Sequence, residues 1–121
     1  MFLFILLLFM PFCINAQNAE KEIFTSPLKI TPALSATFAE LRNDHFHSGL
    51  DYKTGGVTGR EVCSSDEGFV YRISVSPFGF GKALYVRHPS GYSTVYAHLE
   101  SFRADIEEFV NKRQYELRSF T

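Results

Sequence analysis

Cysteine is scarce, and no internal disulfide is expected once an opening export segment is removed. Only two cysteines occur in its 121 residues. Cys13 sits in an opening apolar segment, which leaves Cys63 without a partner. A lone thiol forms no internal bridge, so the fold has to be held by packing. Cys63 itself reads as a small buried hydrophobe, with no local signature of a catalytic thiol. Neither sign of charge dominates: 12 Lys and Arg stand against 13 Asp and Glu, a formal net charge of −1. That balance argues against nucleic acid or an anionic membrane surface as the main partner. No uninterrupted apolar run approaches the roughly 20 residues that a membrane-spanning helix needs. No internal repeat or low-complexity stretch is evident, and the length allows a single domain.

What the chain does have begins at its front. Phe2 to Met10 is an unbroken apolar run, followed by Pro11 and then Phe12-Cys13-Ile14-Asn15-Ala16. A run this short is the hydrophobic region of an export signal, with Ala16 as the residue before cleavage. No Lys or Arg precedes Lys21, so the basic lead of such a signal is missing, and the true start is expected a few residues upstream. An uncleaved anchor is the alternative. Met10-Pro11-Phe12 is a poor context for lipid attachment at Cys13. Residues 1–16 are thus expected to be a signal peptide, and the protein periplasmic or secreted, with no membrane span after cleavage. Without that segment 105 residues remain, roughly 38% hydrophobic, which is ordinary for a globular domain.

The remainder reads mainly as β. Residues 17–36 form an extended arm, because Pro27 and Pro32 oppose a helix there. Gly55, Gly56 and Gly59 mark a loop. Phe69, Tyr71, Ile73 and Val75 alternate with Val70, Arg72 and Ser74, the period of a strand with one buried face. Asp66-Glu67-Gly68 and Ser76 to Gly81 are the turns on either side. Ala83 to Arg87 and Tyr92 to Leu99 are two further strands, separated by Pro89-Ser90-Gly91. Strands at this spacing with no helix between them predict an antiparallel sheet. The Phe and Tyr side chains of these strands read as core. From 103 to 118 the period changes: Ile106, Phe109, Val110 and Leu117 fall near helical spacing. Asp105, Glu107 and Glu108 lead while Lys112, Arg113 and Arg118 follow, the order that complements a helix dipole. This predicts one amphipathic helix on the edge of the sheet.

Chemistry concentrates in His45 to Asp51 and at His98. In His47-Ser48-Gly49-Leu50-Asp51 an imidazole and a carboxylate lie four positions apart in a Gly-containing turn and can converge on one cation. Zinc accepts neutral His nitrogen and Asp oxygen together, and a catalytic zinc has three protein ligands plus water. There is no HExxH, so the helical metalloprotease arrangement is excluded. His-x-x-x-Asp by spacing alone is also compatible with a surface His beside a turn Asp. His45 could complete a three-ligand set with His47 and Asp51 if the segment is a regular strand that turns both rings to one side; a place on the rim of the site is the alternative. His88, before Pro89 at a strand end, reads as structural or exposed.

Three segments in order resemble the lysostaphin-like (LytM-type) zinc metallopeptidases. They are His47-Ser48-Gly49-Leu50-Asp51, Asp66-Glu67-Gly68-Phe69-Val70 and Gly91-Tyr92-Ser93-Thr94-Val95-Tyr96-Ala97-His98-Leu99. The resemblance runs from about Phe24 to about Phe102. It implies an all-β duplicated hybrid motif, here incomplete, with residues 37–121 forming the N-terminal part of the peptidase domain. The helix at 103–118 would then be an insertion. It implies that His47 and Asp51 ligate Zn2+, and that His98 is a catalytic histidine outside the metal shell. The family's third ligand and second catalytic histidine belong to a later His-x-His pair, and none follows His98. The 121 residues are therefore expected to be a truncated, poorly active fragment.

The function so implied is a zinc-dependent metallo-endopeptidase that hydrolyses peptide cross-links or stem peptides of bacterial peptidoglycan, with Zn2+ as cofactor and a peptidoglycan peptide as partner. Zinc lowers the pKa of a bound water towards about 7 and polarises a carbonyl, and a neighbouring imidazole can move the proton or bind the oxyanion. The competing reading is a catalytically silent relative that binds the cell wall or activates another hydrolase. A carrier or phosphotransfer domain of similar shape would need a modifiable Lys in a tight hairpin or a paired-His site, and neither is evident.

Overall fold

The computed structural model describes Phe24 to Thr121, so the expected export signal at 1–16 lies outside the described residues. Five strands and one helix follow in order: β1 (Leu34–Ala36), β2 (Asp51–Tyr52), β3 (Phe69–Ser74), β4 (Lys82–Arg87), β5 (Ser93–Leu99) and α1 (Ala104–Leu117). All strand pairings are antiparallel. β3, β4 and β5 form one sheet in that order, and β1 pairs with β2 in a second. The mainly β, antiparallel architecture with one C-terminal helix is what the sequence predicts, and its three long strands match their expected ranges to within a residue or two.

Glycine supplies the points where the chain turns sharply or passes close to itself. Gly91 has φ 88° and its N–H donates to the His88 carbonyl, closing the β4–β5 turn. Gly68 enters β3 so near the Arg87 carbonyl that any Cβ would run into it. The two outer strands each carry an extra residue. On β5, Leu99 faces Lys82 but Tyr96 faces Leu84, so Ala97 and His98 together oppose Ala83. His98 takes φ 56° within this bulge. Bulges of this kind re-aim a side chain out of the regular alternation.

The core is thin. Its buried apolar side chains are Leu28, Ala36, Ala83, Val86, Phe102 and Val110. Ala83 and Val86 belong to the central strand, which is flanked on both edges. The expectation that the Phe and Tyr side chains form the core is corrected: among the described residues only Phe102 is buried. Phe69, Tyr71, Phe78, Phe80 and Tyr92 are exposed. The reason is positional. β3 is an edge strand, and the bulge between Val70 and Arg72 breaks the alternation that would have turned Phe69 and Tyr71 to one covered face.

Helix α1 turns a narrow stripe inward: Ile106 and Gln114 are half-buried and Val110 between them is buried. That is a single row at i, i+4 and i+8. Phe109 and Leu117, expected on the same stripe, are exposed. The acidic first turn is present as Asp105 and Glu107, but no basic residue occupies the last turn. Lys112 and Arg113 come a turn too early, and Arg118 is the left-handed C-cap residue. Glu107 anchors the other end. Its carboxylate accepts from Lys82 Nζ on β4 at 2.7 Å and from the Phe102 N–H at 2.9 Å. Both partners hold its carboxyl below the ordinary value, Lys82 more than Phe102. The segment directly after His98 is thereby tied to the central strand.

Candidate metal centre and groove

His47 is placed by a small hairpin. Residues 39–47 fold back on themselves through Ala39 N–H to His47 carbonyl, His47 N–H to Glu40 carbonyl and Arg42 N–H to His45 carbonyl, with Leu41 bridging Phe46. Asp51 starts β2 and pairs with Ala36 of β1. These local constraints bring His47 Nε2 to 3.1 Å from Asp51 Oδ1.

The other nitrogen decides what this pair can do. His47 Nδ1 lies 3.0 Å from the Thr37 carbonyl. A carbonyl only accepts, so Nδ1 carries the proton. In the neutral ring Nε2 is then a bare lone pair facing a carboxylate oxygen. Two acceptors at that separation repel unless a cation lies between them: a proton on Nε2, or a metal ion shared by both. A ring that donates its far N–H to a backbone carbonyl is the usual partner arrangement of a metal-ligating histidine. Gly49 leaves the neighbouring space open, since a Cβ there would sit 3.9 Å from Nε2. The donor set and its surroundings fit a cation such as Zn2+.

Arg42 is a site residue that the sequence does not reveal. Its Nη2 donates to Asp51 Oδ2 at 3.0 Å, so the carboxylate is gripped on one oxygen and presents the other to His47. The two residues are nine positions apart and meet only because the hairpin folds over, so no spacing rule finds them. Glu40 Oε1 is 3.8 Å from the same guanidinium nitrogen. Arg42 Nε is buried with no hydrogen-bond partner. It is a positioning residue whose hold on Asp51 comes from its other nitrogen.

His45 is turned away: its Nδ1 pairs with Asp44 at 2.6 Å in the exposed hairpin turn. His98 lies on the other sheet. It is exposed, its N–H donates to the Phe80 carbonyl at 2.9 Å, and its ring meets Phe80 edge-on at 6.5 Å. A groove of about 1110 Å³ runs between the two sheets, and both Asp51 and His98 line it. His47 does not line it, and among the described residues no group of three His, Cys, Asp or Glu side chains could hold a metal. The structure thus joins His47 to Asp51, and Asp51 to His98 only through a shared groove. Cys63, expected to be buried, is half-buried in the wall of that groove.

A family model described as peptidase family M23 matches residues 45–115, a span that holds His47, Asp51 and His98. The chain belongs to peptidase family M23. Membership assigns this M23 chain to the peptidases, hydrolases of the metallopeptidase kind, and its antiparallel strands with one C-terminal helix are consistent with part of that fold. Neither the curated proteins nor the solved structures compared with it give a match. No described helix is long and apolar enough to cross a membrane.

Proposed function

We propose that this M23 chain carries part of the active site of a zinc-dependent endopeptidase that acts on peptide cross-links or stem peptides of bacterial peptidoglycan, outside the cytoplasm. The observation that carries the reading is the His47–Asp51 pair, two acceptors at 3.1 Å whose geometry calls for a shared cation. His47 Nε2 and Asp51 Oδ1 would hold the metal. When bound, the metal supplies Lewis-acid activation of water and of the scissile carbonyl.

The chain's own groups supply the rest. Thr37 fixes the His47 tautomer so that Nε2 stays available. Arg42 occupies Asp51 Oδ2 and fixes the carboxylate's rotation. His98 stands in the groove with an exposed imidazole, its backbone held by Phe80. From there it can take a proton from the attacking water or donate one to a developing oxyanion. The groove, open between two sheets, suits an extended peptide. The apolar run before Ala16 supports export to the compartment where this substrate lies.

The catalytically silent reading is favoured by one observation, that no third metal-capable side chain joins the pair among the described residues. One experiment separates the two. Zinc content and muropeptide release are measured for a complete domain containing this segment, beside His47→Ala and His98→Ala. The enzyme reading expects His47→Ala to lose metal and His98→Ala to keep metal and lose turnover. Full release by His98→Ala would remove that residue from catalysis. No release by the wild-type domain in the presence of zinc would favour the silent relative.

A further inference from the structure

Among the described residues His88 is the one large side chain that is fully buried, at 2% exposure, and it stands apart from the His47–Asp51 pair. It sits against the edge of Phe24, ring centroids 5.3 Å apart. Its two nitrogens have unlike partners. Nδ1 is 2.8 Å from the Glu67 carbonyl, and Nε2 is 2.9 Å from Thr94 Oγ1. Thr94 Oγ1 is 2.9 Å from Tyr96 Oη, and the Ser65 N–H donates to Tyr96 Oη at 2.7 Å.

The proton positions along this chain follow from what each group can do. The Glu67 carbonyl only accepts, so His88 Nδ1 must be the protonated nitrogen. In the neutral ring Nε2 is then an acceptor, and the Thr94 hydroxyl has to donate to it. That uses the single Thr94 proton. The 2.9 Å contact between Thr94 and Tyr96 is therefore made by the Tyr96 proton pointing at Thr94. With its own proton directed at Thr94, Tyr96 Oη accepts from the Ser65 N–H. Every donor finds an acceptor in this order, as a buried polar chain requires. Burial, the strongest single influence on the Tyr96 phenol, opposes its ionisation. Its hydrogen bonding, led by the contact with Ser65, outweighs burial and brings the phenol below its ordinary value.

We infer that His88 is a positioning residue for the groove: held as the neutral Nδ1–H tautomer, it orients the Thr94 and Tyr96 hydroxyls inward and so fixes the groove-lining segment at Ser65 to strand β5. Ser65 is itself buried, and its carbonyl accepts from both the N–H and the hydroxyl of Thr25 at 2.8 Å. The chain of bonds thus joins the arm before β1, the segment before β3 and the strand that carries His98 two residues beyond Tyr96. A second consequence concerns ligands. With its proton committed inward, any capacity left at Tyr96 Oη is acceptor capacity, so the groove can meet it with a donor such as a peptide N–H. This last point rests on the peptidase reading. The wiring does not.

The test reads the wiring directly. Long-range nitrogen–proton NMR on the wild-type chain should show His88 neutral with Nδ1 protonated and Nε2 bare. An Nε2–H tautomer or an imidazolium near neutral pH would overturn the assignment. Thr94→Val removes the relay hydroxyl at nearly constant shape, and the Ser65 amide should then exchange with solvent about tenfold faster or more, the scale of losing one buried hydrogen bond. Thr94→Ser restores the hydroxyl and should restore the Ser65 protection. Unchanged Ser65 exchange in Thr94→Val, or a failure of Thr94→Ser to restore it, would refute the coupling. If Thr94→Val does not fold, the wild-type tautomer still decides. None of these readouts uses turnover, so a chain that hydrolyses nothing tests the wiring equally well.

Discussion

The clamp between α1 and the central strand gives a prediction whose size and pH dependence both follow from its geometry. Glu107 accepts two hydrogen bonds, from Lys82 Nζ and from the Phe102 N–H. Replacing it by Gln keeps the shape and one neutral acceptor but removes the charge. A hydrogen bond to a charged group contributes about 1.5–3 kcal/mol. Both side chains of the pair are 29% exposed, so solvent screens part of the attraction and the lower end applies. The expected loss is about 1–2 kcal/mol, which for a domain of this size lowers Tm by very roughly 4–15 °C. The sign with pH is fixed by the direction of the shift. Glu107 is lowered from its ordinary 4.5 in the folded state, with Lys82 the larger cause. Its contribution is therefore fully present above 4.5 and is lost as the pH falls through the lower folded-state value. Thermal unfolding by circular dichroism at neutral pH and at about pH 3, for wild type and Glu107→Gln, measures both effects. Equal Tm values at neutral pH would refute the clamp. A difference that stays undiminished at the acid end would show that the carboxylate's charge is not its source.

Three other outcomes are expected. Gly68→Ala forces a Cβ into the Arg87 carbonyl at the head of the β3–β4 pair and should destabilise the chain by about 1–3 kcal/mol in urea titration; an unchanged midpoint would mean that the strands can part at no cost. Arg42→Met releases Asp51 Oδ2 and should weaken zinc binding about 10-fold in a complete domain, measured by competition with a chromophoric chelator; unaltered affinity would remove Arg42 from the site. The 121-residue chain itself should bind zinc weakly, because two ligands leave the shell open, and micromolar or tighter binding by calorimetry would contradict this.

Where the sequence is legible, a repeating pattern and a punctuating residue agree. β3, β4 and β5 are bounded by Gly and Pro turns, and α1 changes the period from two to that of a helix. β1 and β2, three and two residues long, carry too little pattern to be seen, yet their pairing places Asp51. His-x-x-x-Asp is visible as a spacing. The hairpin that lays Arg42 across Asp51 is not, because its contacts are between backbone groups that any residue possesses. The aromatic side chains misread for a related reason: alternation says that two sets of residues face opposite ways, but not that a layer exists to cover either set. His88 reads locally as a strand-end residue, and only the fold shows three separate segments meeting around it.

The bulge in β5 bears on how such a chain could come to lack its histidine. At φ 56° position 98 lies in the left-handed region, which Gly, Asn and Asp enter with little penalty and β-branched residues enter at considerable cost. Replacement by Asn or Gly would empty the groove of its imidazole and leave the backbone at rest. Replacement by Val or Ile would strain the turn between Ala97 and Leu99 as well. A silent descendant that keeps this fold should therefore carry a small or amide side chain at position 98, and the identity of that residue would itself report whether the bulge had survived the loss.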